Sequence, residues 1–491
     1  MVRSRRVSLK SLAALLISMG TGAAVLISVL VLLQYVELEF PTAVRIFGYV
    51  GICLLLQLFA MRMQPFGPSF VVVLYTIISH FGWPIVATLG SFESSLASML
   101  TTRHLYQEYF AAASSVATLA MVSLFISWSY VQRRPIKVSG SAADRSAILL
   151  NIRESRFGDV YVSLSMIVTY AFAVLLGVFA LGNGLISANY QTVKDAFAEA
   201  PGLAHLQRAF WVVFATLAAL GTRRDILRAT PAVLLIAITF MASGNRNDIL
   251  YPLAAAFGLY VHRRKQVSKL ALLGAAAIVF VVNPFVADAR QQTMGGSALG
   301  LRVEDAVMEL GAQIAPFTVV HSVMGHQVAF MGGLSLLLPT LAFLTFGLMV
   351  SPSSYLESSY FIPNVLAQQG HLGRGFSMIA EAWVNFGTVG TILFFAVVGG
   401  GLAWIENRAV SRTAVLLFPA VTVLMVYWAR NSLQFNVSIL VYALVAVFIA
   451  QVLSSIADGE ATEAHGGVSR RGQYRRRSSE SERSIMKGNS E

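Results

Sequence analysis

Long apolar runs alternate with short polar turns along most of this chain. The runs lie near 11–35, 43–61, 68–90, 109–131, 159–182, 206–221, 229–244, 249–262 and 269–287, then 378–405, 413–430 and 433–456. Most approach the roughly 20 residues that a helix needs to cross a hydrocarbon core of ~30 Å. The pattern predicts an all-α, polytopic membrane protein with about 12 transmembrane helices. A further run, "GGLSLLLPTLAFLTFGLMV" (Gly332 to Val350), is apolar enough to cross but carries Pro339 inside it. No repeat of 20–50 residues and no inverted symmetry of the transporter type is visible.

Composition agrees with that reading. Of 491 residues, 56% are hydrophobic and only 12% charged, about half the charged share of a soluble protein. The first run follows Arg3, Arg5, Arg6 and Lys10 as a signal peptide would. It is too long for a signal peptide's apolar core and no A-x-A site follows, so it reads as the first span. Cys53 is the sole cysteine and falls mid-span, which excludes internal disulfides and thiolate metal sites.

The net charge of +12 does not point to nucleic acid, because of where the charges fall. If Gly332 to Val350 does not cross, 27 of the 36 Lys and Arg residues share the side of the N-terminus, and 9 lie opposite. If it crosses, the division falls to 20 against 16. Positive residues collect on the cytoplasmic side, so the first arrangement is expected, with both termini cytoplasmic. The chain then divides into a membrane bundle over 1–287 (about nine spans), one large exterior loop over 288–376, about three spans over 377–456, and a tail over 457–491. In the loop, Val303, Val307, Leu310 and Ile314 share one helical face, predicting an amphipathic surface helix. The Pro339 stretch reads as re-entrant. The polar tail "SRRGQYRRRSSESERS" reads as a disordered, basic topology anchor that could also touch anionic lipid.

"GRGFSMIAEAWVNFGTVG" (Gly373 to Gly390) then raises a question, since it sets Arg374, Glu381 and Asn385 at the mouth of an apolar run. Glu381, Asn385 and Thr388 are spaced i, i+4, i+7, which makes one polar stripe. Such a stripe belongs against the bundle interior or a hydrated cavity; the plainer alternative is a carboxylate at a helix N-terminus. Arg246, Arg290, Arg302, Arg374 and Arg430 lie on the exterior side, where topology does not explain them. A guanidinium suits phosphate oxygens, although local carboxylates (Glu304 and Asp305 for Arg302, Asp248 for Arg246, Asp288 for Arg290) offer ordinary pairing. His321, His326 and His371 share the loop, but a spacing of five between the first two is not that of a helical zinc pair. Proton transfer by one of them is the functional reading and a structural role the other. There is no P-loop, no dinucleotide fingerprint and no G-x-S-x-G, so no cofactor and no metal is expected.

The Glu381 stretch resembles the signature of the Wzy-type O-antigen polymerases, oligosaccharide repeat-unit polymerases in which G-x-S-x-x-A-E-A-aromatic-x-N-F-G-x-x-G enters a late span. "ASGNRNDILYPL" (Ala242 to Leu253) is similar to the family's small-Gly-x-Arg turn, "MGGLSLLLPTL" to its loop stretch, and "WARNSL" (Trp428 to Leu433) to an exterior arginine before the last span. The chain departs from the family where "TFGLMVSPSSYLESS" lacks the usual lysine turn after the loop proline.

The resemblance implies a glycosyltransferase of the bacterial inner membrane. It would polymerise undecaprenyl-pyrophosphate-linked repeat units into O-antigen, capsule or exopolysaccharide at the periplasmic face. Glu381, Arg290 and Arg374 are the expected catalytic residues; Arg246, Arg430, Asn385, His321 and His326 are the expected substrate contacts. Glu381 has two open roles, base for the acceptor hydroxyl or fixed partner of an arginine. The implied partners are the lipid-linked donor and acceptor, the bilayer, a chain-length regulator and a flippase, with no nucleic acid. An O-antigen ligase or a flippase for the same lipid-linked glycan are the alternatives.

Overall fold

A computed structural model describes residues 9–61, 66–89, 103–133, 152–184, 199–242, 247–264, 311–323, 329–344, 376–408, 412–429 and 438–456, with a few positions between them. Among these residues every regular element is helical. In chain order they are α1 (Leu9–Leu32), α2 (Phe40–Ala60), α3 (Pro68–Leu89), α4 (Arg103–Arg133), α5 (Arg156–Gly182), α6 (Pro201–Leu220), α7 (Arg223–Ala242) and α8 (Asn247–Arg264). After a short 3-10 turn (Gly311–Gln313) come α9 (Ile314–Val323), α10 (Leu334–Leu344), α11 (Met378–Arg408), α12 (Arg412–Trp428) and α13 (Ser438–Ile456).

Seven of these, α1 to α5, α11 and α13, are long and apolar enough to cross a membrane. Shorter apolar stretches, His205–Leu220, Ile249–Val261 and Leu417–Trp428, lie in α6, α8 and α12. Arg223, Arg224, Asp225 and Arg228 fill the start of α7, so its apolar part begins only beyond them. The predicted span at 269–287, the surface helix around Val303 and Val307, and the tail lie outside the described residues. α10 has 11 residues, a rise of about 16 Å, or roughly half the hydrocarbon thickness.

Burial follows what a bilayer asks. Val389, Leu393 and Val397 of α11, and Ile167, Val174, Val178 and Leu181 of α5, face outward as large exposed apolar side chains. In water such faces would drive association; against lipid they are matched. The interior is packed with aromatic rings, including Phe47, Phe70, Phe81, Phe110 and Phe172, all essentially inaccessible. α4 and α11 approach closely enough that a Cβ on Gly399 would lie 2.4 Å from the Leu124 carbonyl oxygen. Only glycine fits there.

Contacts between helices fix their relative directions. α3 and α11 are antiparallel, because His80 meets Ser377 at one end while the Ser69 N–H donates to Glu406 Oε1 (3.0 Å) at the other. α8 is antiparallel to α3, since Tyr251 packs on Tyr75 and Gly258 lies by Val71. α8 and α11 therefore run the same way. If both cross the bilayer, an odd number of crossings separates them.

The end opposite Ser377 is tied by charge. Arg153, ahead of α5, pairs with Asp159 in the first turn of α5 and with Asp225 at the start of α7. Burial alone would raise the Asp225 carboxyl, but hydrogen bonds from the Thr222 hydroxyl and N–H, with the Arg153 guanidinium, hold it below its ordinary value.

Candidate functional site

The site is built at the first turns of α11. Ser377 caps this helix: its hydroxyl oxygen accepts from the Ala380 N–H (3.2 Å), and its carbonyl accepts from the Glu381 N–H (2.8 Å). Serine is favoured at this position because its side chain satisfies one of the helix's unpaired donors. Glu381 follows one turn later and is fully buried. Its Oε2 accepts two hydrogen bonds, from the Trp428 indole N–H (2.5 Å) and the Leu433 backbone N–H (2.8 Å). Trp428 ends α12, and Leu433 lies between α12 and α13. Glu381 Oε1 is buried without a hydrogen-bond partner among the described residues, and the Ser335 hydroxyl stands beside the carboxylate.

Asn385, one turn further on, is saturated. Its Nδ2 donates to Ser335 Oγ and to the Glu381 carbonyl (both 2.7 Å), while its Oδ1 accepts from the Gly333 N–H (3.0 Å). Two residues later the helix breaks. Gly387 has φ 66° and ψ −169°, a conformation essentially reserved for glycine. At this break the segment ahead of α10 supplies donors: the Met331 N–H bonds the Val384 carbonyl (3.0 Å) and the Gly332 N–H bonds the Asn385 carbonyl (2.9 Å). Gly332 and Gly333, both at positive φ, turn the chain into α10 immediately after this contact. Broken helices at membrane depth need such substitute partners.

Aromatic rings gather around Trp383, two residues after Glu381. The His321 ring, in the last turn of α9, stacks on Trp383 (4.3 Å between centroids, 18° between planes). Phe317 and Phe330 meet the same indole edge-on at 6.1 and 5.3 Å. Tyr251 of α8 packs on Tyr427 (5.0 Å), the neighbour of Trp428.

Four stretches singled out in the sequence therefore converge: those holding Glu381, Gly332–Gly333, Trp428–Leu433 and Tyr251. Glu381 and Asn385 are brought together, whereas His321 packs on Trp383, on another face of α11. Arg246, Arg290, Arg302, Arg374, Arg430, His326 and His371 lie outside the described residues. The polar stripe continues as expected from Glu381 to Asn385, both in the protein interior. It does not extend as one helical stripe to Thr388, because Gly387 reorients the backbone; Thr388 Oγ1 instead accepts from the Trp383 indole N–H (3.3 Å).

Sequence reasoning missed His80, Ser377 as a cap, Ser335 and the Trp428 indole. His80 is fully buried in α3, with Nε2 2.9 Å from Ser377 Oγ and Nδ1 3.0 Å from the Thr76 carbonyl. An ionisable side chain inside an apolar span was the available signal. The indole and hydroxyls carried none, since nothing local distinguishes a tryptophan that donates to a carboxylate from one that packs.

No curated protein and no solved structure matches the chain. A family model does: the model of the O-antigen polysaccharide polymerase Wzy family matches residues 13–458. Membership of that family agrees with the convergence of its motif-bearing stretches around Glu381, and the chain belongs to the O-antigen polysaccharide polymerase Wzy family.

Proposed function

We propose that this protein joins undecaprenyl-pyrophosphate-linked repeat units at the periplasmic face of the bacterial inner membrane. In this reading about 12 spans carry the chain, both termini are cytoplasmic, and residues 288–376 form the exterior loop. The non-reducing-end hydroxyl of a fresh lipid-linked unit attacks the anomeric carbon of the growing chain. The new glycosidic C–O bond forms as the bond to the lipid pyrophosphate breaks, and the pyrophosphate leaves with the electron pair. The hydroxyl proton passes to solvent or to the leaving group. Arg246, Arg290, Arg374 and Arg430 stabilise the charge that develops on the pyrophosphate, and bidentate geometry suits them to it.

One observation carries the assignment of Glu381: the two donors on its Oε2, Trp428 and Leu433, flank Arg430 in sequence. This supports the orienting role. A buried carboxylate accepting from Trp428 and Leu433 fixes the backbone on either side of the arginine. Asn385 has its amide engaged inside the protein, so in this reading it serves the substrate site by holding the helix break and the docked loop. His321 and His326 are proposed to meet the glycan from the loop side. A chain-length regulator and a flippase are the proposed protein partners.

Deleting the gene and profiling surface polysaccharide tests the function. Polymerase loss leaves a single-repeat product, restored to a ladder by the wild-type gene. Loss of all capped lipopolysaccharide, with polymer still accumulating on the lipid carrier, would instead identify a ligase.

A further inference from the structure

We propose that His80 is a positioning residue for Glu381, acting through the helix cap at Ser377. The inference rests on the role given to Glu381 above, and its starting point is the cost of the histidine. A polar ring buried in an apolar span is unfavourable unless its nitrogens are satisfied, and both of them are. The Thr76 carbonyl can only accept, so Nδ1 carries the ring hydrogen and donates to it across 3.0 Å. The Ser79 hydroxyl, 3.1 Å from Nδ1, uses its own proton on the same carbonyl (2.9 Å) and leaves a lone pair to the ring. Nε2 is then an acceptor, and the group facing it at 2.9 Å is the Ser377 hydroxyl.

That assignment orients the cap. With its proton on His80, Ser377 Oγ presents its lone pairs to the Ala380 N–H (3.2 Å), while its carbonyl takes the Glu381 N–H (2.8 Å). The first turn of α11 is thereby tied to α3 across 297 residues of sequence. Rotating a helix by about 10° moves a side-chain tip by about 1 Å, given a radius of roughly 5–6 Å. Such a movement is enough to lose hydrogen bonds of ordinary length. Glu381 Oε2 has to meet two donors on a different segment, at 2.5 and 2.8 Å, so the rotation of this turn matters. His80 touches no reacting group in this scheme; it sets where Glu381 stands.

The test uses the full chain in membranes of the deletion strain, with His80→Phe, His80→Gln, Ser377→Ala and the double variant His80→Phe/Ser377→Ala. Polymer per unit of protein is measured beside the infrared carboxyl band of Glu381, identified by its loss in Glu381→Gln. His80→Phe and Ser377→Ala should each lower polymer by roughly tenfold or more, and the double variant no further, because both cut the same link. His80→Gln should recover most of the polymer, since its amide oxygen can accept where Nε2 stood. The Glu381 band should shift in His80→Phe and return in His80→Gln. A band unmoved in His80→Phe, or losses that add in the double variant, overturns the proposal. If His80→Phe fails to accumulate, Ser377→Ala is read in its place, and an unmoved band there overturns it equally. A wild-type gene that restores no polymer contradicts the polymerase reading instead, and the band comparison still decides the role of His80.

Discussion

Glu381 is buried with its Oε2 accepting from two groups, Trp428 and Leu433, that lie five residues apart, and that arrangement separates two chemical roles by substitution. As an anchor, its essential property is reach. Glu381→Gln keeps the side-chain length and an oxygen for the Trp428 and Leu433 N–H groups; Glu381→Asp keeps the carboxyl group but is one methylene short. The anchor role predicts that Glu381→Gln stays within about tenfold of wild-type polymer output, while Glu381→Asp and Glu381→Ala fall by roughly 10- to 100-fold, the cost of leaving buried donors unsatisfied. A base would give the reverse order, with the amide inactive and the aspartate partly active. Polymer yield on gels at matched protein level decides between them. That Glu381 would face the interior was legible from its sequence, because carboxylates in apolar runs are rare and costly against lipid. Its partners were not, since Leu433 and Trp428 are 52 and 47 residues away.

At the scale of elements, α11 is two helical pieces joined at Gly387, and the segment ahead of α10 docked there makes the joint. The Met331 and Gly332 N–H groups and the Asn385 amide hold α10 to the break. Gly387→Ala asks an L side chain to adopt φ 66°, at a cost of about 1–3 kcal/mol. The helix can avoid that cost by straightening, which withdraws the Val384 and Asn385 carbonyls from the loop. The variant is therefore expected to insert and accumulate but to lose polymer, with residues 331–333 gaining backbone hydrogen exchange. Unchanged protection at those residues, with normal polymer, would show that the break is dispensable. The sequence displayed both halves of this joint as glycine-bearing stretches. It did not display their contact, and it placed Thr388 on a continuous stripe because helical spacing alone cannot see a break.

For the whole molecule, the apolar runs predicted the helices well because lipid imposes one rule on every span, namely about 20 apolar residues with internally satisfied backbone. What the runs did not predict was the arginine-rich first turn of α7, which begins at Arg223, ahead of the apolar run. If α8 and α11 both cross the bilayer, their shared direction requires an odd number of crossings between them; the topology proposed above has one. Cysteines placed at 290 and 360 in a Cys53→Ser background should both react with an impermeant outside reagent; protection of 360 alone would mean that Gly332 to Val350 crosses. The most direct test of the polymerase assignment is reconstitution of the purified full chain with lipid-pyrophosphate-linked repeat units as the only glycan. Chains of many repeats should form on the lipid carrier, with release of the lipid pyrophosphate, and Glu381→Ala should form few or none. Single repeats that persist unchanged with active, folded wild-type protein would contradict it.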